Sequence, residues 1–364
     1  MQKKFGYIRT LKGEYFSIYH KYFITRLRNN KFIKLFLICI ISTTSLFLII
    51  KLILLGYRFS WTGFANNSQL KTLWDWLELL IIPMLLGFLA YLFTNSQKSR
   101  EIELTKINQQ NETLQQYFNQ MTSLLLEIDN FDDKTIKTTS RIARATTLAV
   151  LEIVDGKQKG QILRFLTEAE LINKESPFIL LKRANFTYTI LDLLFCNTCD
   201  LNGINFDYAI LPWSHFNNSM MSGISMRYAN LANADFSNSD LAYVLFTNSN
   251  LSHAKLSMSN LYKGNFQNSN LRNADLSKAH IHFANFYSAN LQHANLESTN
   301  LHFSDFSCTS LRDADLSNSD LSNTNFYGAD LRNANLTGVN LIKSSITKSQ
   351  LKKAKSYKNA RLPF

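Results

Sequence analysis

Cys196-Asn197-Thr198-Cys199 is the one CxxC in this 364-residue chain, the spacing that suits dithiol redox chemistry or half of a zinc site. A structural zinc ion needs four ligands, and no second CxxC supplies the other two. His282 and His302 are the other metal-ligating types at a regular separation, but no carboxylate or cysteine shares their position. Gly156-Lys157-Gln158-Lys159-Gly160 has the glycines and lysines of a phosphate loop without its Gly-Lys-Ser/Thr ending, and reads as a helix–helix turn. No nucleophile, base and orienting group stand in a usable constellation. The sequence therefore predicts no catalytic residue, no cofactor, no metal and no enzyme activity.

The elements that carry these residues explain most of them. From Phe186 to Leu351 every fifth residue is large and apolar, 34 in succession: 20 Leu, 9 Phe, 2 Met, 2 Ile and one Cys. Each is preceded by Asn or Asp in most units, and before that by a small residue, as in Ala234-Asp235-Phe236-Ser237-Asn238. A period of five fits neither helix nor strand and implies a solenoid of mutually burying units. In that register Cys196 takes a large inward position and Cys199 a small one, so both read as core. The Asn/Asp row recurs too regularly for catalysis and reads as side-chain ladders. Sorting by twenty separates the faces. One holds Phe186, Phe206, Met226, Phe246, Phe266, Phe286, Phe306, Phe326 and Ile346, and the next holds Leu at all nine positions from Leu191 to Leu351. Four five-residue sides per coil, stacked about 4.8 Å apart, produce this pattern. The bulky residues at small positions, Ile204, Ile224 and Val244, are also twenty apart.

The units Ala274-Asp275-Leu276-Ser277-Lys278 and Ala329-Asp330-Leu331-Arg332-Asn333 resemble the pentapeptide repeat. The resemblance implies a right-handed quadrilateral β-helix over 181–354 and is far less informative about function. Upstream, Leu114-Gln115-Gln116-Tyr117-Phe118-Asn119-Gln120-Met121 and Gly160-Gln161-Ile162-Leu163-Arg164-Phe165-Leu166 are similar to bacterial pentapeptide-repeat membrane proteins, many of them cyanobacterial.

The N-terminal third reads as membrane-associated. Residues 1–34 carry nine Lys/Arg against Glu14, a net of +8. Two apolar stretches follow within 35–94, Leu35 to Gly56 and Leu77 to Phe93, each near the length a helix needs to span. Tyr57, Phe59, Trp61, Phe64, Trp74 and Trp76 flank them as interfacial aromatics do. The positive leader predicts that both termini, and the β-helix, lie in the cytoplasm of a bacterial inner or internal membrane, with membrane lipid as one partner.

Residues 95–180 read as a helical connector. Leu104, Asn111, Phe118 and Leu125 occupy one heptad position and Ile107, Leu114 and Met121 the other. A buried Asn such as Asn111 can fix a dimer register. The stretch 104–125 predicts either a homodimeric coiled coil or a lone amphipathic helix packed within the chain. Helical patterns follow over 135–153 and 161–172. At the other end, 355–364 drops the register and reads as a tail covering the last coil's open edge.

Function must then lie on the outward positions that break the Ser/Asn background. Tyr188, Tyr208 and Tyr228 form one aromatic stripe, which the connector could cover. Tyr243, Tyr262, His282, Phe283, His302 and Phe303 form a second with no covering segment, read as a contact surface for a protein partner. Arg272, Arg312, Arg332 and Lys352 make a basic edge. Residues 184–354 hold 11 basic and 12 acidic residues, a net of −1. That disfavours a DNA-mimicking topoisomerase regulator, and nucleic acid is not expected as a partner. An interaction scaffold fits best; an accessory subunit of membrane transport or assembly is the other reading. Inside such a coil a lone carboxylate would cost several kcal/mol, so Leu271→Asp should abolish the cooperative melt followed by circular dichroism.

Overall fold

The fold is taken from a computed structural model that describes residues 73–127 and 132–364. Its helices are α1 (Leu73–Glu127), α2 (Asp133–Leu151), α3 (Gly156–Glu168) and α4 (Lys348–Leu351). The chain divides into two compact units, Met1–Glu101 and Ile102–Phe364. In the first, the anticipated span 35–56 and the leader 1–34 lie outside the described residues. Of the anticipated span 77–93, side chains are described from Pro83 onward, and the large apolar ones from Met84 to Phe93 are all exposed. Among the described residues no helix is long and apolar enough to cross a membrane.

The second unit is a β-helix with a helical cap. Parallel bridges join residues twenty apart without interruption, from Asn185–Asn205 to Asp320–Asn340. On each side the large residue donates its N–H to the next coil, as Phe206 does to Ser225 O at 2.7 Å. The Asn/Asp residue donates back, as Asn205 does to Ala184 O at 3.1 Å. The second corner residue of nearly every unit has a positive φ, from +55° to +70° between Arg183 and Lys343. This left-handed conformation is why Asn and Gly recur there. The large positions face inward and are buried throughout. On the Phe face, ring centroids of successive coils stand 4.6 Å (Phe266–Phe286) to 5.6 Å (Phe306–Phe326) apart. The Asn/Asp row forms the anticipated ladders: Asn250 Nδ2 donates to Asn230 Oδ1 at 3.1 Å and Asn260 Nδ2 to Asp240 Oδ1 at 2.8 Å.

The connector closes the N-terminal edge, where the first coil's carbonyls have no preceding coil. From α2, Arg144 donates to Leu180 O and Lys182 O at 2.7 and 3.0 Å, and Ser140 to Phe178 O. From α3, Lys159 Nζ donates to Thr187 O at 3.3 Å and Arg164 to Asp192 O at 3.4 Å. Gly156 O and Ile172 O accept from Ile190 N and Asp200 N. Lys159 is buried by this contact, which pushes its ammonium below its ordinary range, while Glu152 acts the other way.

The segment Gly156–Gly160 is not a helix–helix turn; it is the start of α3, capped by Asp155 and Gln158 in a capping box. Its glycines permit backbone contact, since a Cβ on Gly156 would stand 2.0 Å from Tyr188 O. The heptad face is used within the chain from Leu114 onward. Leu114, Tyr117 and Met121 are buried, Phe118 and Leu125 partly so, and Asn111 Oδ1 accepts from Gln158 Nε2 at 2.8 Å. Leu104 and Ile107 remain exposed. Burial pushes the Tyr117 phenol up to about 12, against the opposing effect of its hydrogen bond with Thr147.

At the C-terminus the strict register stops before Leu351. Residues 348–351 form α4, and Gln350 donates to Phe326 O and Ala329 O at 2.7 and 3.1 Å. The segment 355–361 then rejoins the ladder with one extra residue, pairing Asn335 with Ser356 and Asn340 with Arg361. The tail thus covers the last coil by extending its ladder.

Volumes are matched between coils. Below Ile204, Ile224 and Val244 the same column holds Gly264, where a Cβ would lie 2.9 Å from Phe266 and 3.3 Å from the Val244 side chain. Overpacking costs about 1–3 kcal/mol. Gly264→Ala should destabilise by that amount in urea unfolding, and Val244→Ala in the same chain should recover part of it.

Candidate functional site

The second stripe assembles as aligned aromatic corners. Tyr243 meets Tyr262 edge-on with centroids 5.5 Å apart, Tyr262 meets Phe283 at 6.0 Å, and Phe283 stacks on Phe303 at 5.0 Å with 3° between the planes. Lys263 Nζ lies 5.8 and 5.2 Å from the Tyr243 and Tyr262 ring centroids, within cation–π reach. Tyr243, Phe283 and Phe303 are about half exposed, at 52 %, 47 % and 50 %. His282 and His302 adjoin them, ring centroids 4.5 Å apart.

The first stripe is also in place. Tyr188, Tyr208 and Tyr228 stack at 5.0 and 4.9 Å. The connector does not cover it, contrary to one expectation: the three rings stay exposed because α3 lies along the end of the first coil and not across its side. Beside the stripe, Asp207 is almost fully buried and its carboxylate takes Arg227 Nε and Nη2 at 3.0 and 2.6 Å. Ser225 Oγ and the Arg227 N–H also donate to it, at 2.6 and 2.9 Å. Burial pushes this carboxyl up, and the hydrogen bonds from Arg227 and Ser225 outweigh that, leaving it below the usual carboxylate range.

The two stripes read from the sequence leave out part of this surface. Ile190, Leu193, Phe195, Ile210 and Trp213 are exposed beside the Tyr stripe, and Phe195 stacks on His215 at 5.0 Å. The signal was present: Ile190, Phe195 and Ile210 stand where Asn or Asp is the rule.

Cys196 and Cys199 are buried, as their register implies, and are joined as a disulfide across a corner. Ser219 Oγ bridges that corner, accepting from Cys199 N at 3.0 Å and donating to Cys196 O at 2.7 Å. The basic edge is mostly engaged: Arg332 grips Asp330 at 2.6 Å, Arg312 lies 3.9 Å from Asp313, and Arg272 donates to Gln292 at 3.2 Å. Lys352 leaves the column, because the extra residue sets Lys353 against Asn333. Two openings of about 280 and 420 Å³ flank the C-terminal cap. There Asp330 is already paired and Gln350 is spent on backbone carbonyls.

A twenty-residue coil of four sides, with small and large residues alternating inward, matches known repeats. Residues 194–266 match the description "Pentapeptide repeat region". Residues 259–292, 284–323 and 319–355 match "Pentapeptide repeats (8 copies)". Residues 194–355 of the β-helix therefore match pentapeptide repeats. Among solved structures it is similar to HetL, a pentapeptide repeat protein involved in heterocyst differentiation regulation from the cyanobacterium Nostoc sp. strain PCC 7120. That match has 20 % identity and a TM-score of 0.30 over 55 % of this chain and 95 % of HetL. QnrB1, a plasmid-mediated fluoroquinolone resistance protein, has 20 % identity and a TM-score of 0.27 over 48 % of this chain and 92 % of its own. A pentapeptide repeat protein of the Arabidopsis thaliana thylakoid lumen has 25 % identity and a TM-score of 0.24 over 28 % and 72 %. No curated protein matches the chain.

Within the repeats, the Asp207–Arg227 pair should tie coils together in a pH-dependent way. A folded-state carboxyl below its unfolded value stabilises above that unfolded value, near 4, and loses its contribution as pH falls through the folded value. Asp207→Asn should destabilise by about 1–3 kcal/mol at pH 7, discounted because Arg227 is half exposed. The gap in melting temperature from wild type should narrow towards pH 3.

Proposed function

We propose that this chain is a non-catalytic scaffold whose pentapeptide-repeat β-helix presents aromatic stripes to a protein partner. One observation carries the reading. Tyr243, Phe283 and Phe303 have φ between +58° and +60°, as do Tyr188, Tyr228 and Trp213, with Tyr208 at +61°. A left-handed backbone costs an ordinary residue about 1–2 kcal/mol, which Asn or Gly at the same corners largely escapes. Bulky rings at such positions, half exposed and outside the core, are strained without a folding need, the pattern found where a surface binds. Ring stacking returns about 0.5–1.5 kcal/mol per pair along each stripe. Trp213 stands in its column between Leu193 and Asn233 and has no aromatic neighbour there.

The same proposal places the scaffold on a membrane, with both termini cytoplasmic and lipid as a second partner. Its support is the basic leader, the two apolar stretches, and a described helical run from Met84 to Phe93 whose large apolar residues are exposed, as in helices that meet lipid. Leu104 and Ile107, also exposed, are the part of 104–125 open to a second copy. A near-neutral repeat region disfavours DNA mimicry, which needs a strongly negative surface.

Proximity labelling from the cytoplasmic face tests this with the full chain. Changing Tyr243, Tyr262, Phe283 and Phe303 together to Ser should remove the main labelled partner, weakening it by about thirtyfold or more if these rings are the hot spot. The variant should keep its melting temperature within a few degrees. A variant that folds and retains every partner would overturn the interface.

A further inference from the structure

The side of the β-helix between the Tyr188 and Leu193 corners changes character along its length. Its ladder position holds Ile190 and Ile210, which are bridged to each other, and then Asn230 and Asn250. Its far corner holds Leu193 and Trp213 and then Asn233. The Tyr188, Tyr208 and Tyr228 column borders it for three coils and gives way to Asn248. The side-chain ladder therefore begins only at Asn230, which accepts from Asn250 at 3.1 Å. Leu193 and Trp213 hold left-handed corners, with φ of +58° and +60°, that Asn would fill at lower cost.

These seven apolar side chains are about half exposed, from 39 % at Ile190 to 61 % at Tyr188 and Trp213. Together they offer on the order of 700 Å² of surface, above the about 300–600 Å² of the largest apolar patch on a typical monomer. A standard interface takes about 800 Å² from each partner. Charge selects the occupant. On this side of the first three coils the one charged side chain is Asp192, and Arg227 at its border is spent on Asp207 at 2.6 Å. A surface for anionic lipid sets Lys and Arg beside its apolar residues, which this side does not. A nearly uncharged side can meet its own copy without rows of like charge opposed. The open heptad positions lie at the same end of the β-helix. Asn111 is bonded to Gln158 at 2.8 Å, and Gly156 of that helix abuts Tyr188. Ile107 stands one turn before Asn111 in α1, and both it and Leu104 are exposed.

We propose that a second copy of this chain packs on the Tyr188–Trp213 side of the first three coils, in a two-fold dimer that also takes in Leu104 and Ile107. This rests on the scaffold reading of the Tyr column as a contact face, and it leaves the Tyr243–Phe303 stripe to its own partner. A two-fold interface uses the same patch on both copies, so an apolar and nearly uncharged side is complementary to itself. Trp213 is the anchor. It has no ring above or below it in its column, and buried Trp is the side chain that most often dominates an interface. The second copy supplies the packing that its column lacks. Asn230, Asn233 and Asn248 return the side to solvent where the interface ends.

Light scattering on the full chain in a mild detergent, with the bound detergent subtracted, tests the dimer. At about 20 µM the expected protein mass is twice the 41.9 kDa of one chain. Ile210→Asn combined with Trp213→Asn copies Asn230 and Asn233 of the next coil. It should weaken the dimer at least about thirtyfold. Asn suits the left-handed corner, so the variant's melting temperature should equal or exceed that of wild type at a dilution where both are monomeric. Tyr262→Ser with Phe283→Ser, on the second stripe, should stay dimeric, which separates loss of that stripe's partner from loss of the dimer. A wild type that is monomeric at about 20 µM, or a folded Ile210→Asn/Trp213→Asn variant that dimerises as tightly as wild type, would overturn the proposal and leave this side to lipid or to another protein.

Discussion

Every coil of this β-helix exposes a row of N–H and C=O groups at each end, and the structure depends on those rows being paired. In the interior the next coil does it, twenty residues on. At the first coil there is no predecessor, and an open edge is a site for aggregation. The helical connector answers this with side chains. Arg144, Lys159 and Arg164 reach the carbonyls that a preceding coil would have covered, and two connector carbonyls take the free N–H groups. Burying Lys159 to do this has an electrostatic cost that Glu152 reduces. At the last coil Gln350 and the re-paired segment 355–361 do the same with an amide and a short ladder.

Pairing at a fixed spacing forces a second constraint, on volume. Side chains stacked one coil apart must fit one another in volume because interiors are close-packed. Phe therefore follows Phe down one face, and Gly264 follows the run of Ile204, Ile224 and Val244. This coupling runs along the columns and not along the chain. It makes the sequence look low in complexity while each face keeps its own composition.

The same logic separates what the sequence reveals from what it conceals. The period of twenty, the inward places of Cys196 and Cys199 and the vertical alignment of the aromatics all follow from register, because each is fixed by neighbours in the column. The cap does not follow. Arg144 and Arg164 lie on helices whose periodicity reports only which face packs, and the carbonyls they serve become orphans only when the coil closes. The end of the repeat was concealed for a different reason. Leu351 is buried from a helical turn just as it would be from a coil side, so the five-residue beat continues past the point where the geometry changes. The disulfide was legible in principle, since two inward positions flanking a corner bring their Cα atoms to 5.6 Å.

A fold so uniform offers few ways to vary a surface without disturbing the core, and the corners are the most permissive. They lie outside the Asn/Asp ladder and point away from the packed interior. Their only demand is a left-handed backbone, which Asn meets at low cost. Rings at those corners keep the ladder intact, as the Tyr243 N–H to Tyr262 O bond at 2.7 Å demonstrates. The strain of each ring falls on one residue and is partly offset by the ring in the next coil. Aromatic corners are thus tolerated best in vertical runs, where each new ring finds a stacking partner. An extended stripe is the kind of surface this architecture can vary most freely, and it suits a partner that lies along several coils better than one that fills a pocket.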